Sequence, residues 1–160
     1  MIDRIIDLLG RSVAWLAFVM VIITIFVMVL RYGLDICAIM LQELVIYMHG
    51  LVFMLGLAYT LKHDGHVRVD LFYSRMRDRR RAIVNLTGHV VFLIPLSVTI
   101  LVFSLPYARN SWLILEASPE VAGIPAVFLL KTLVPLAAIL LILEALVLSI
   151  TAVQSLIKRG

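Results

Sequence analysis

The chain has 160 residues, 63% hydrophobic and 15% charged, with a net charge of +4 and a mean hydropathy of +1.10. Soluble domains carry about 45–50% apolar and roughly 25% charged residues, and a chain this short has too much surface per volume to hide such an excess from water. The composition weighs against a soluble globular enzyme, and disorder is excluded because it needs low hydrophobicity and high charge.

Residues 1–11 come first. Ile2, Ile5, Ile6 and Leu9 recur at helical spacing opposite Asp3, Arg4 and Asp7. This suits either a short amphipathic helix in the membrane interface or an early start of the first span. Residues 12–30 are 19 positions without formal charge, bracketed by Arg11 and Arg31. About 20 apolar residues cross roughly 30 Å of hydrocarbon, so this is a first transmembrane helix. It is too long for the apolar core of a cleaved signal peptide, and no small-x-small site follows it.

A short connection carries Tyr32, suited to an aromatic belt, and Arg31, which either pairs with Glu43 across the turn or marks the membrane boundary. Cys37 is the only cysteine, leaving no internal disulfide and no cysteine-based metal cluster. The second span is expected over 36–61. Gln42 and Glu43 then fall inside a helix at shallow depth, where a carboxylate needs a partner. Gly50, Gly56 and Ala58 permit close helix approach.

Residues 62–81 form a loop holding seven of the 14 lysines and arginines. Asp64-Gly65 is a turn signal and Asp70 is placed as an N-cap. Val69, Phe72, Tyr73 and Met76 line one face of a basic helix. Two readings stand: a basic amphipathic helix on the membrane surface, or a docking site in which Arg68 and Asp70 pair with a partner subunit.

The third span covers 82–108, with Pro95 and Pro106 as kink points. Residues 109–131 read as an interfacial helix with Trp112, a turn at Ser118-Pro119-Glu120, and an apolar re-entry at Gly123-Ile124-Pro125. Arg109, Glu116 and Glu120 are the expected contacts for a periplasmic partner. The fourth span covers 132–157 and holds Glu144 near mid-membrane. An acidic group there costs about 2.5–3.5 kcal/mol unless paired or neutralised. Its candidate partners are His49, at similar depth on the second span, and a polar group on another subunit; alternatively it is protonated and bonded to a backbone carbonyl.

Four spans put both termini on one side. That side carries 11 of the 14 lysines and arginines and the other carries three, which makes it cytoplasmic by the positive-inside rule. The expected fold is an all-α integral inner-membrane protein: a single domain of four transmembrane helices with short interfacial helices. Basic charge clustered beside apolar spans points to membrane lipids rather than nucleic acid. No catalytic motif is visible. His49 and His89 differ in depth by about 8 Å, a poor match for two ligands of one haem, so no cofactor or metal is expected. Two alternatives are a small autonomous proton-coupled exporter built on Glu144 and a membrane anchor of a redox complex.

Arg31-Tyr32, Gln42-Glu43, the Gly56-containing end of the second span, His66-Val67-Arg68-Val69-Asp70 and Gly123-Ile124-Pro125 occur in an order and spacing that resembles the DctQ-type small membrane subunit of tripartite ATP-independent periplasmic (TRAP) transporters. The chain departs from that pattern at Leu41-Gln42-Glu43, where many members carry a Trp followed by two acidic residues. The resemblance implies a bacterial or archaeal system in which a periplasmic binding protein delivers an organic acid. A large membrane subunit carries it inward with sodium, and this subunit scaffolds the large one without a substrate or ion site of its own. It also implies docking or helix-fixing roles for Glu43, His66, Arg68 and Asp70.

Overall fold

The computed structural model describes residues 2–63, 65, 73 and 76–157. Helix α1 is Ile2–Gly33 and α2 is Ile39–Lys62. Helix α3, Asp78–Thr87, passes through a π-helical turn at Gly88–Leu93 into α4, Ile94–Leu113. Helix α5 is Val127–Ile157. With α3 and α4 joined as one rod over Asp78–Leu113, four helices among the described residues are long and apolar enough to cross a membrane. His66, Arg68 and Asp70, with most of the expected surface helix, lie outside the described residues.

The helix limits differ from the charge-free runs for physical reasons. Helix α1 runs unbroken from Ile2, so residues 2–11 continue the axis of the first span. Helix α2 begins at Ile39 rather than 36, because Asp35, with φ 56°, takes the left-handed conformation that ends a helix. The third rod begins at Asp78 rather than 82, with Arg79, Arg80 and Arg81 in its first turns. Long arginine stems can extend from there to the aqueous interface. No separate interfacial helix precedes the 114–126 connection, since α4 continues to Leu113.

The helices pack as a row: α1 on α2, α2 on α5, and α5 on α3, the π turn and α4. Hydrocarbon gives no hydrophobic drive between helices, so small residues that let backbones approach decide the contacts. Helix α4 offers Ser97, Ser104, Ala108 and Ser111, all buried at helical spacing, and α5 buries Ala137, Ala138 and Ala145. Gly50 of α2 fits against α5, where an added Cβ would lie 2.8 Å from Leu130 Cδ1. Gly56 has nothing within 4 Å of such a Cβ and so provides no close approach. Thr24, Thr60, Thr99 and Thr151 bond to carbonyls four residues back in their own helices, which spares these hydroxyls an unsatisfied place in lipid.

The π turn precedes Pro95, which has no N–H to give to the helix. Pro106 and Pro135 lie inside continuous helices, Pro135 buried.

Candidate functional site

Two polar clusters close the two ends of the row. The first joins α2 to the connection between α4 and α5. Helix α4 ends on a Schellman motif: Glu116 N–H bonds to Ser111 O at 3.0 Å and Leu115 N–H to Trp112 O at 3.2 Å. Leu115 holds the left-handed position, φ 46°, that glycine usually fills. This reversal brings Glu116 beside the start of α5, where Lys131 Nζ meets Glu116 Oε2 at 2.5 Å. Lys131 also lies 4.3 Å from the centre of the Tyr107 ring. Trp112 Nε1 donates to Thr132 Oγ1 at 2.8 Å, and its ring packs on Phe128. Lys131 holds the Glu116 carboxyl below the usual glutamate range by donating a hydrogen bond to it.

Beyond that clamp the chain folds back on itself. Ser118 N–H bonds to Ile124 O at 3.3 Å and Gly123 N–H to Glu120 O at 3.0 Å. The turn so formed encloses Glu43, in the second turn of α2. Ile124 N–H donates to Glu43 Oε2 at 2.5 Å, and the Ser118 hydroxyl donates to Glu43 Oε1. Ser118 Oγ in turn accepts from Glu120 N–H at 3.1 Å. Gly123 is required by close approach, since a Cβ there would run into Ser118 and lie 2.8 Å from Glu43 Oε1. Ala122 before it is left-handed, φ 64°, a strained choice for a residue with a side chain.

At the opposite end Asp7 of α1 receives two groups from the end of α2: Lys62 Nζ at 2.8 Å and His63 Nε2 at 3.1 Å. The Tyr59 ring lies 4.3 Å from the His63 ring and covers Gly10, where a Cβ would enter the Tyr59 ring. On the third rod, Arg81 Nε donates to Tyr73 O at 3.1 Å, and Tyr73 Oη lies 2.9 Å from Asn85 Nδ2.

The structure redistributes the expected site residues. Glu43 has protein partners, but they are Ser118 and Ile124; Arg31 is exposed at the end of α1 and Gln42 is half-buried beside Glu43. Arg109 and Glu120 are exposed, whereas Glu116 is engaged by Lys131. Glu144 faces protein at 1% exposure, while His49 lies on an exposed face of α2 stacked against Phe53. Ser118, the Ile124 amide and Asp7 went unassigned in the sequence. The forewarning was a turn at Ser118-Pro119-Glu120, an apolar re-entry at Gly123-Ile124-Pro125 and an acid on the polar face of residues 2–11.

Both clusters fasten helix to helix or helix to loop, and their polar groups are largely consumed in doing so. Little of the apolar spans, by contrast, is fully buried within the chain. Only 11% of the first, second and third span windows is buried within the chain, against 33% of the fourth. Trp15, Phe18, Phe26, Phe92 and Phe103 are among the exposed side chains.

A comparison with family models matches residues 20–155 to "Tripartite ATP-independent periplasmic transporters, DctQ component". No curated protein and no solved structure matches the chain.

Proposed function

Because the chain belongs to the DctQ family of tripartite ATP-independent periplasmic transporters, and is thus a multi-pass membrane component of such a system, we propose that it is the non-catalytic scaffold of the large membrane subunit. The large subunit performs sodium-coupled uptake of an organic acid delivered by a periplasmic binding protein. Both termini of the small subunit face the cytoplasm and the 114–126 connection faces the periplasm, a reading supported by the 11-to-3 distribution of lysine and arginine. Exposed Arg109 and Glu120 are then available to the binding protein, and Glu43 keeps the loop between them and the membrane in one shape. The coupling ion and the substrate bind in the large subunit.

The observation that carries this reading is the outward-facing apolar surface. A row in which only α2 and α5 lie between two neighbours has flanks that must meet lipid or another apolar protein. A chain whose polar residues are spent on joining its own elements has little left with which to build a transport path. The test is co-purification followed by reconstitution. The reading predicts a stable complex with a much larger apolar membrane protein, and sodium-dependent uptake of an organic acid only when all three components are present. Full uptake by the large subunit and binding protein in vesicles lacking this chain would refute the scaffold role. Proton-driven export by the isolated chain would refute the whole reading.

A further inference from the structure

Helix α2 stands between α1 and α5, and contacts fix its two packed sides. A Cβ on Gly50 would meet Leu130 and Leu133 of α5, and Tyr59 covers Gly10 of α1. At about 100° per residue, Gly50 and Tyr59 stand roughly 100° and 80° to either side of His49. The side left open carries Gln42, Ile46, His49, Phe53, Gly56 and Thr60, spaced alternately by four and three residues. That is the seven-residue repeat of a helix-pairing seam. On the basis of the scaffold role, we propose that a transmembrane helix of the large membrane subunit docks on this seam of α2. It places a hydrogen-bonding side chain opposite His49 and a bulky one over Gly56.

Three features lead there. The first is the imidazole. His49 is exposed and stands about 15 Å from Ile39 and about 20 Å from Lys62 along the helix, at mid-membrane. Hydrocarbon offers it no hydrogen bond, and ionisable side chains at that depth face protein. Exposed Thr99 and Thr151 satisfy their hydroxyls on carbonyls of their own helices. His49, among the described residues, has the Phe53 ring beside it and no hydrogen bond. The second feature is relief. Ile46 and Phe53 are each 57% exposed, whereas a Cβ added at Gly56 meets nothing within 4 Å. Two knobs with an open place beyond them form a shape into which another helix can pack closely. The third is contrast with the outer side of α1. There exposed Phe18, Ile22, Phe26 and Val29 form a strip with no polar or small member, which suits lipid. A second copy of this chain fits the seam less well. Two copies inserted the same way pair about a two-fold axis along the membrane normal, so that Phe53 meets Phe53 and Gly56 meets Gly56. Bulk then faces bulk, and void faces void.

The test uses the co-purified complex of the two membrane subunits. The photoreactive residue p-benzoyl-phenylalanine, in place of Ile46 or Phe53, should on irradiation join this chain to the large subunit, identified by peptide mass spectrometry. In place of Phe26 it should not. His49→Leu should weaken association with the large subunit roughly three- to thirtyfold, and His49→Gln, which keeps a hydrogen-bonding head, should recover most of the loss. Gly56→Leu separates docking from folding. It should weaken association at least about tenfold, yet leave the unfolding temperature of the isolated chain unchanged or higher. Nothing in the chain meets the new side chain, and leucine favours a helix over glycine. Association unchanged in both His49→Leu and Gly56→Leu overturns the proposal, as do adducts from Phe26 with none from Ile46 or Phe53. Adducts joining two copies of this chain, with none to the large subunit, would assign the seam to self-association and overturn it as well. In each of these outcomes the complex still co-purifies, so the scaffold role survives; absence of any complex with the wild-type chain overturns both.

Discussion

Removing the Glu43 carboxylate tests whether the 118–124 turn is held by α2 or merely rests beside it. In Glu43→Ala the Ile124 amide loses its acceptor and the Ser118 hydroxyl loses the oxygen it donates to. Hydrogen bonds to a charged group contribute about 1.5–3 kcal/mol each. Since Glu43, Ser118 and Ile124 are all half-buried, the lower figure applies. Two such bonds come to about 3 kcal/mol of local closure, a factor of about a hundred in the opening equilibrium. Glu43→Gln keeps an acceptor for the Ile124 N–H and turns an amide donor toward Ser118 Oγ, losing charge assistance alone, so its cost is about tenfold. The assay is hydrogen exchange at the Ile124 amide, with the α5 amides as an internal reference. Protection at Ile124 should fall by about a hundredfold in the alanine variant and about tenfold in the glutamine variant, with α5 unaffected. Unchanged protection in Glu43→Ala would show that the turn is self-supporting, and the reasoning would be refuted. Equal loss in both variants would refute the role given to charge.

Gly123→Ala should open the same turn by driving a methyl group into Ser118 and Glu43; combined with Glu43→Ala it should add far less than its cost alone, as residues sharing one contact do. Acid should loosen the α4–α5 connection through Glu116. Its pKa is lowered in the folded chain, so its stabilising contribution is complete above the ordinary value of 4.5 and disappears as pH falls through the lowered one. Exchange of the 114–118 amides should therefore rise only in that acid range, and Glu116→Gln should remove the pH dependence. Ala145→Leu, at a position with 0% exposure, should overpack the α5 interface at a cost of about 1–3 kcal/mol, read as a lower unfolding temperature in detergent.

How much of this was legible in the sequence depends on the range of the interaction. The spans could be read because a lipid solvent imposes long charge-free runs, and Glu144 could be read as facing protein because the alternative is expensive. Helix limits were less legible: the arginines before Ala82 point to a separate surface helix in the connection, yet Arg79, Arg80 and Arg81 form the first turns of the rod. The partners of Glu43 were beyond reach, since Ser118 and Ile124 lie 75 and 81 residues away and nothing local distinguishes them from other turn residues. Pairing Glu43 with Arg31 was the nearer guess, but Asp35 ends α1 and leaves Arg31 exposed. Asp7 was visible as a polar residue on a helix face, though not as an anchor for the far end of α2.

The π turn has a consequence for chain length. An α-helix advances about 100° per residue, and a π-helical turn contains in effect one residue more than the α-helical path it replaces. Traced back from Ser97 through Gly88–Leu93, that extra residue brings His89 and Asn85 close to the line of Ser97, Ser104 and Ala108, so that both meet α5. Deleting one of Val90, Val91 or Phe92 would remove that extra residue and restore an uninterrupted α-helix with Arg81, Asn85 and His89 still near that line, whereas a deletion in the regular helix between Ser97 and Ser104 would rotate one end against the other by about 100°. The segment between Asn85 and Ser97 thus tolerates the loss of one residue, a latitude in length that the regular helix between Ser97 and Ser104 lacks. Deletion of Val90, Val91 or Phe92 should be tolerated far better than deletion of a residue between Ser97 and Ser104.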